Sequence, residues 1–245
     1  MTLIERAPCL STSPLLVRSF LRWPPASPTS TARVAPRRRP SFGAAIARTL
    51  TGPLSNRGIG VASEQNAEDT IRAFRTALAD LLGASPAGIV YGRSATQIAY
   101  DFCRHLAKTW APGDEVVVTQ LDHDANVRPW IQAAAAVGVT VRWLRLDPTT
   151  AELRLNELDE AVGERTRLVA VTAASNLLGT KPPVNQIARR AHEVGALVYV
   201  DGVHYTAHAA VDISAPGADF FACSPYKFLG RTAQPWPPIR RCWKP

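Results

Sequence analysis

Short apolar runs alternating with helical patterns fill the stretch from residue 89 to residue 223, and this alternation leaves few folds open. Residues 115–119, 140–144, 168–172, 196–200 and 220–223 are rich in β-branched or aromatic side chains and too short for helices; residues 89–91 form a shorter run of the same kind. Each reads as a strand. Upstream, Ile71, Phe74, Leu78, Leu81 and Leu82 share one helical face that Gly83 ends. Between the runs, Ile98, Phe102 and Leu106 predict a second helix, and Pro129 starts a third through Trp130 and Ile131 that closes at Gly138. Asn156 is placed to cap a short helix around 158–162, and residues 184–194 carry a further pattern before Gly195. Strands apolar on both faces and separated by helices predict an α/β fold, a mainly parallel sheet with helices on both faces.

In such a sheet, ligand-binding groups sit just past the carboxyl ends of the strands. Asp201 follows one run, and Ser224, Tyr226 and Lys227 follow another. A lysine amine can form a Schiff base with a cofactor aldehyde, and a carboxylate can keep a pyridine nitrogen protonated, which is the pairing pyridoxal 5′-phosphate requires. Taken alone, these two residues equally suit a turn-capping aspartate beside Gly202 and a solvated loop lysine. Three further strand ends carry ligand chemistry. Gly92 permits a tight turn, after which Ser94, Ala95 and Thr96 open a helix whose free amides can hold a phosphate. His123 can stack on a flat heteroaromatic ring, and Asn176 offers an amide for a phenolic oxygen.

The blocks Leu121-Asp122-His123-Asp124-Ala125-Asn126-Val127-Arg128-Pro129-Trp130 and Cys223-Ser224-Pro225-Tyr226-Lys227-Phe228 make the sequence resemble the class V, fold-type I pyridoxal phosphate enzymes, closest to the cysteine-desulfurase-like subgroup. The resemblance runs from about Asn56 to Gly230. It implies the large cofactor-binding domain of that fold, with Lys227 as the Schiff-base lysine, Asp201 at the ring nitrogen and His123 on the ring. Lys227, His123 and Asp201 are thus the implied catalytic set. By the same resemblance Asn176 and His204 lie near the phenolic oxygen, and Ser94, Ala95, Thr96 and Ser224 form the phosphate cradle, with Tyr226 beside Lys227. Two positions depart from the family pattern: His204 stands in place of a glutamine and Tyr226 in place of a histidine.

Charge divides the chain into three. The formal net charge is +8, yet residues 1–50 hold 8 arginines against the one acid Glu5, and residues 231–245 hold 4 basic residues and no acid. The middle is therefore slightly acidic. Prolines also concentrate in the two ends. Residues 1–50 are expected to be a disordered basic Arg/Pro/Ser-rich segment, 51–230 the pyridoxal phosphate-binding domain, and 231–245 an atypical tail. Both ends read as foreign to the fold, as a change of translation frame would make them, with the small C-terminal domain of the resembled family missing. An arginine-rich start also matches a transit peptide or a nucleic-acid-binding arm. The absence of a recognisable binding module argues against nucleic acid, and no apolar stretch reaches membrane-spanning length.

None of the four cysteines stands where the resembled desulfurases carry their sulfur-attacking residue. Cys9, Cys103, Cys223 and Cys242 show neither metal spacing nor a disulfide framework, which fits a reducing, cytoplasmic compartment. No metal site is expected. The expected function is a pyridoxal phosphate-dependent lyase or transferase acting on a small-molecule amino-acid substrate, cysteine-desulfurase-like (sulfur removal from cysteine) and impaired by truncation, in a family whose intact members are expected to be homodimers. Class V aminotransfer or epimerisation, and a noncatalytic remnant, are the alternatives.

Overall fold

The computed structural model describes residues 40–213 and 217–228. In chain order the helices are α1 (Pro40–Thr51), α2 (Ala62–Leu82), α3 (Ala95–Leu106), α4 (Arg128–Val137), α5 (Leu158–Ala161), α6 (Val184–Glu193) and α7 (Pro225–Phe228). The strands are β1 (Glu115–Thr119), β2 (Thr140–Leu144), β3 (Leu146–Asp147), β4 (Glu152–Leu153), β5 (Thr166–Thr172), β6 (Leu197–Asp201) and β7 (Phe220–Ala222). Five of them form one sheet in the order β2-β1-β5-β6-β7, parallel at every pairing, and β3 with β4 makes a small antiparallel pair.

Alternate side chains of the central strands enter two separate cores. Val117, Val169, Val171, Val198 and Val200 pack under Ile187, Ala188 and Ala191 of α6. Val116, Val118, Leu168, Ala170 and Tyr199 face Ala99 and Cys103 of α3 and Trp130, Ala133 and Ala134 of α4. Both faces are therefore dry, which is why β1 is buried over its whole length. On the second face Tyr199 meets Trp130 edge-on, with ring centroids 5.1 Å apart.

Helix ends follow local chemistry. Gly83 and Gly138 take the left-handed conformation, at φ 65° and 75°, and close α2 and α4 by backbone bonds to Ala79 and Ala134. Ser94 caps α3, its Oγ accepting from the Gln97 amide at 3.1 Å.

Three expectations fail. Residues 89–91 are not a strand: Ile89 tucks under Ala79 and Leu82 of α2, whereas Val90 and Tyr91 are 61% and 47% exposed and pair with no strand among the described residues. Asn156 caps nothing, because it lies in the 3-10 turn Leu155–Glu157 that leads into the four-residue α5. Pro40–Thr51, inside the stretch expected to be irregular, is helix α1, favoured by Ala44, Ala45 and Ala47 and by Arg48 in its last turn. Residues 1–39 and the tail 231–245 lie outside the described residues.

Candidate active site

The carboxyl ends of β1, β5 and β6, with α7 just beyond β7, bring His123, His204 and Lys227 within electrostatic reach of Asp201. Asp201 closes β6 and is 9% exposed. Its Oδ1 accepts the Val203 amide at 2.8 Å, while its main-chain oxygen accepts the Ala173 amide at 2.9 Å, tying the ends of β5 and β6. Burial pushes the Asp201 carboxyl up, and the Val203 amide, His123, Lys227 and His204 oppose that shift. The neighbours that favour its charged form are thus three candidate site residues. Gly202 follows because nothing larger fits: a Cβ there would enter the Phe221 ring.

His123 opens the 3-10 turn Asp124–Asn126, and its Nδ1 accepts the Ala125 amide at 3.0 Å. That bond places the proton of the neutral ring on Nε2. The residue itself is exposed. Lys227 sits half-buried on α7, its amide bonded to the Ser224 carbonyl at 2.9 Å. His204 follows Asp201 by three residues; its ring centroid lies 4.6 Å from that of His208, and burial, then the Lys227 charge, lowers its pKa.

Three of the four phosphate-type residues line one cavity. Ser94, Ala95, Ser224 and Tyr226 line a cavity of about 570 Å3 at the β7 edge of the sheet, with Gly92, Ile98 and Phe220. Ser224 is 4% exposed and Tyr226 is open to solvent. Thr96 lies in the first turn of α3 outside the cavity lining. Asn176 is exposed on a loop held by the Ser175 amide bond to the Thr180 carbonyl at 2.9 Å and rooted beside Asp201 through Ala173. A Cβ on Gly92 would come 2.8 Å from Ile98, so the turn before α3 stays narrow only with glycine.

Asp122 is the residue to which sequence reasoning gave no role. Its Oδ1 accepts from Asn126 Nδ2 at 2.7 Å and its Oδ2 accepts from the Thr119 hydroxyl, while Asn126 Oδ1 accepts from Trp130 Nε1 at 3.1 Å. As a residue Asp122 is partly exposed, but its carboxyl group turns inward onto the buried Thr119 and Asn126. That enclosure pushes its pKa to about 7, with the nearby Asp201 charge adding to the rise. A signal was present: Asp122, Asn126 and Trp130 recur at every fourth position.

The aminotransferase class-V family profile matches residues 54–232. The chain belongs to that family. A cysteine desulfurase of Dickeya dadantii is 38% identical over 177 residues, 71% of this chain and 42% of that protein. An aminotransferase-like protein, FGM3 of Gibberella zeae, is 40% identical over 156 residues, 63% of this chain and 38% of that one. Among solved structures, the Escherichia coli cysteine desulfurase CsdA superposes with a TM-score of 0.66 at 28% identity, over 78% of this chain and 49% of that chain. The apo cysteine desulfurase of Thermococcus onnurineus NA1 reaches a TM-score of 0.70 at 24% identity and shares the fold. The chain thus spans about two fifths of the length of the curated relatives it matches. Class-V enzymes are pyridoxal phosphate-dependent, act on amino acids and are often dimeric. Among the described residues of this member no helix is long and apolar enough to cross a membrane.

The donor set suits pyridoxal 5′-phosphate. A buried carboxylate with a backbone amide on one oxygen can take a protonated ring nitrogen, a half-buried lysine lies close enough to act on it electrostatically, and a helix N-terminus faces a cavity edged by hydroxyls.

Proposed function

We propose that this chain binds pyridoxal 5′-phosphate and belongs to an enzyme of cysteine-desulfurase type, which removes sulfur from cysteine. The observation that carries this reading is Asp201, buried at the end of β6 with His123, Lys227 and His204 all acting on its charge. When bound, the cofactor supplies an electron sink for the carbon that bears the substrate amine. Lys227 offers the amine for covalent attachment. Asp201 would keep the ring nitrogen protonated, and His123 would cover one ring face. Ser94, Ala95 and Thr96 at the start of α3, with Ser224, would take the phosphate against the helix dipole. His204 and Asn176 would serve the phenolic oxygen, with Tyr226 beside Lys227. Identity to the cysteine desulfurase of Dickeya dadantii supports the sulfur chemistry, while FGM3 of Gibberella zeae supports aminotransfer as the second reading. Cys103 and Cys223 are free thiols, which supports a reducing, cytoplasmic setting.

The test loads the purified chain with pyridoxal phosphate, reduces it with borohydride and maps the pyridoxyl peptide. A label on Lys227 that is absent from Lys227→Ala is expected. A label on Lys108 or Lys181 instead, or none at all, overturns the assignment. Sulfide released from cysteine, against keto-acid formed from other amino acids, separates the two readings.

A further inference from the structure

Asp122 joins segments that the backbone leaves separate. Thr119 is the last residue of β1, Asn126 ends the 3-10 turn after His123, and Trp130 lies in α4, yet their side chains form one chain of hydrogen bonds through Asp122. Leu121 extends it, its amide donating to Thr119 Oγ1 at 3.1 Å. The Thr172 main chain at the end of β5 also lies beside the Asp122 carboxyl group and lowers its pKa. Trp130 is fully buried and Asn126 nearly so, so the far end of the chain is anchored in the core. His123 sits inside this bracket, flanked by Asp122 and by the turn that Asn126 holds; its ring accepts the Ala125 amide at 3.0 Å and its carbonyl accepts the Asn126 amide at 2.8 Å.

Resting on the reading of His123 as the residue that covers the cofactor ring, we propose that Asp122 is a positioning residue that fixes the His123 loop against β1, β5 and α4 and so sets the angle at which His123 meets the ring. A loop tied at one end to strand ends and at the other to a buried indole has little freedom to tilt. Thr119 and Asn126 both donate to the enclosed carboxyl group, which offsets part of the cost of burying it. Breaking the bracket leaves Asn126 Nδ2 without this acceptor and frees the turn.

The test is a double-mutant cycle on the full chain, with Asp122→Ala, His123→Ala and the pair, read by pyridoxal phosphate affinity and by the visible circular dichroism of the bound cofactor, which reports ring orientation. Asp122→Ala is expected to weaken binding about tenfold and to reduce the dichroic band to that of His123→Ala. The double variant should then be no worse than His123→Ala, since one residue acts through the other. Affinity and dichroism within about twofold of the parent, or effects that add in the double variant, overturn the role. If Asp122→Ala loses its far-ultraviolet signal, Asp122→Asn, which keeps the acceptor for Asn126, decides by the same criteria with a smaller change expected. A parent chain that takes no cofactor on Lys227 overturns the functional reading itself, and this inference with it. A parent that loads normally while Asp122→Ala matches it overturns this inference alone.

Discussion

Lys227 on α7 lies close enough to Asp201 at the end of β6 that its charge opposes the burial of that carboxylate. The two residues come from different crossovers of the sheet, and the pairing of β6 with β7 in register Asp201↔Ala222 is what sets their approach. A carboxyl buried at a strand end with one amide on it and the Lys227 charge nearby is a poor choice for a core and a good one for a ligand.

Asp201→Asn tests that charge. The substitution keeps the shape and the Val203 amide contact at Oδ1, so the fold should persist. With the cofactor bound, α-proton exchange of a substrate amino acid in deuterated buffer should fall by orders of magnitude, because a neutral amide cannot hold the ring nitrogen protonated. Exchange equal to that of the parent would make Asp201 structural.

Much of the scaffold was legible because its causes are local. The runs 115–119 and 140–144 are strands with those bounds, and Gly83 and Gly138 end helices because only glycine takes the left-handed turn cheaply. Residues 89–91 have the same β-branched and aromatic chemistry and are still no strand, since strand identity needs a neighbour and β7 does not pair with them. Asp201 ends β6 as its run suggested, whereas Ser94 follows no strand, because residues 89–91 do not form one. Asp122 was not legible, because its fourfold spacing to Asn126 and Trp130 crosses a turn, and only the tertiary path shows that it continues to Thr119 and Thr172.

Stability should depend on pH through Asp122. Its folded pKa of about 7 lies above the ordinary carboxylate value, so the native state binds a proton that the unfolded chain has released between roughly pH 4 and 7. Stability from this group is therefore greatest below the unfolded pKa and is lost as pH rises toward 7, at most about 1.4 kcal/mol per pH unit. Asp201 is shifted in the same direction and adds to the trend. Urea unfolding at pH 5 and pH 8 should show the parent losing stability toward pH 8 and Asp122→Asn losing less. Equal losses in the two proteins would mean that Asp122 is ionised throughout.

Gly202→Ala should damage the fold at the site. Its amide bonds the Ala222 carbonyl at 2.8 Å to join β6 to β7, and a methyl group would enter the Phe221 ring. Overpacking of this kind costs about 1–3 kcal/mol, to be measured as a shift in the urea midpoint. An unchanged midpoint would show that Phe221 moves aside without cost.

The thiols should be slow to react. Cys103 is 1% exposed, its Sγ bonds the Tyr100 carbonyl at 3.1 Å, and burial raises its pKa; burial pushes Cys223 up to about 11. Alkylation needs the thiolate, which at neutral pH is then a very small fraction at either site. Iodoacetamide at pH 7.5 should leave both unmodified in the folded chain over a time in which urea-unfolded chain reacts fully, with the sites resolved by peptide mass. Rapid labelling of Cys223 in the folded chain would instead mark it as an activated thiol beside Ser224, and it would then become the first residue to substitute in any assay of sulfur transfer.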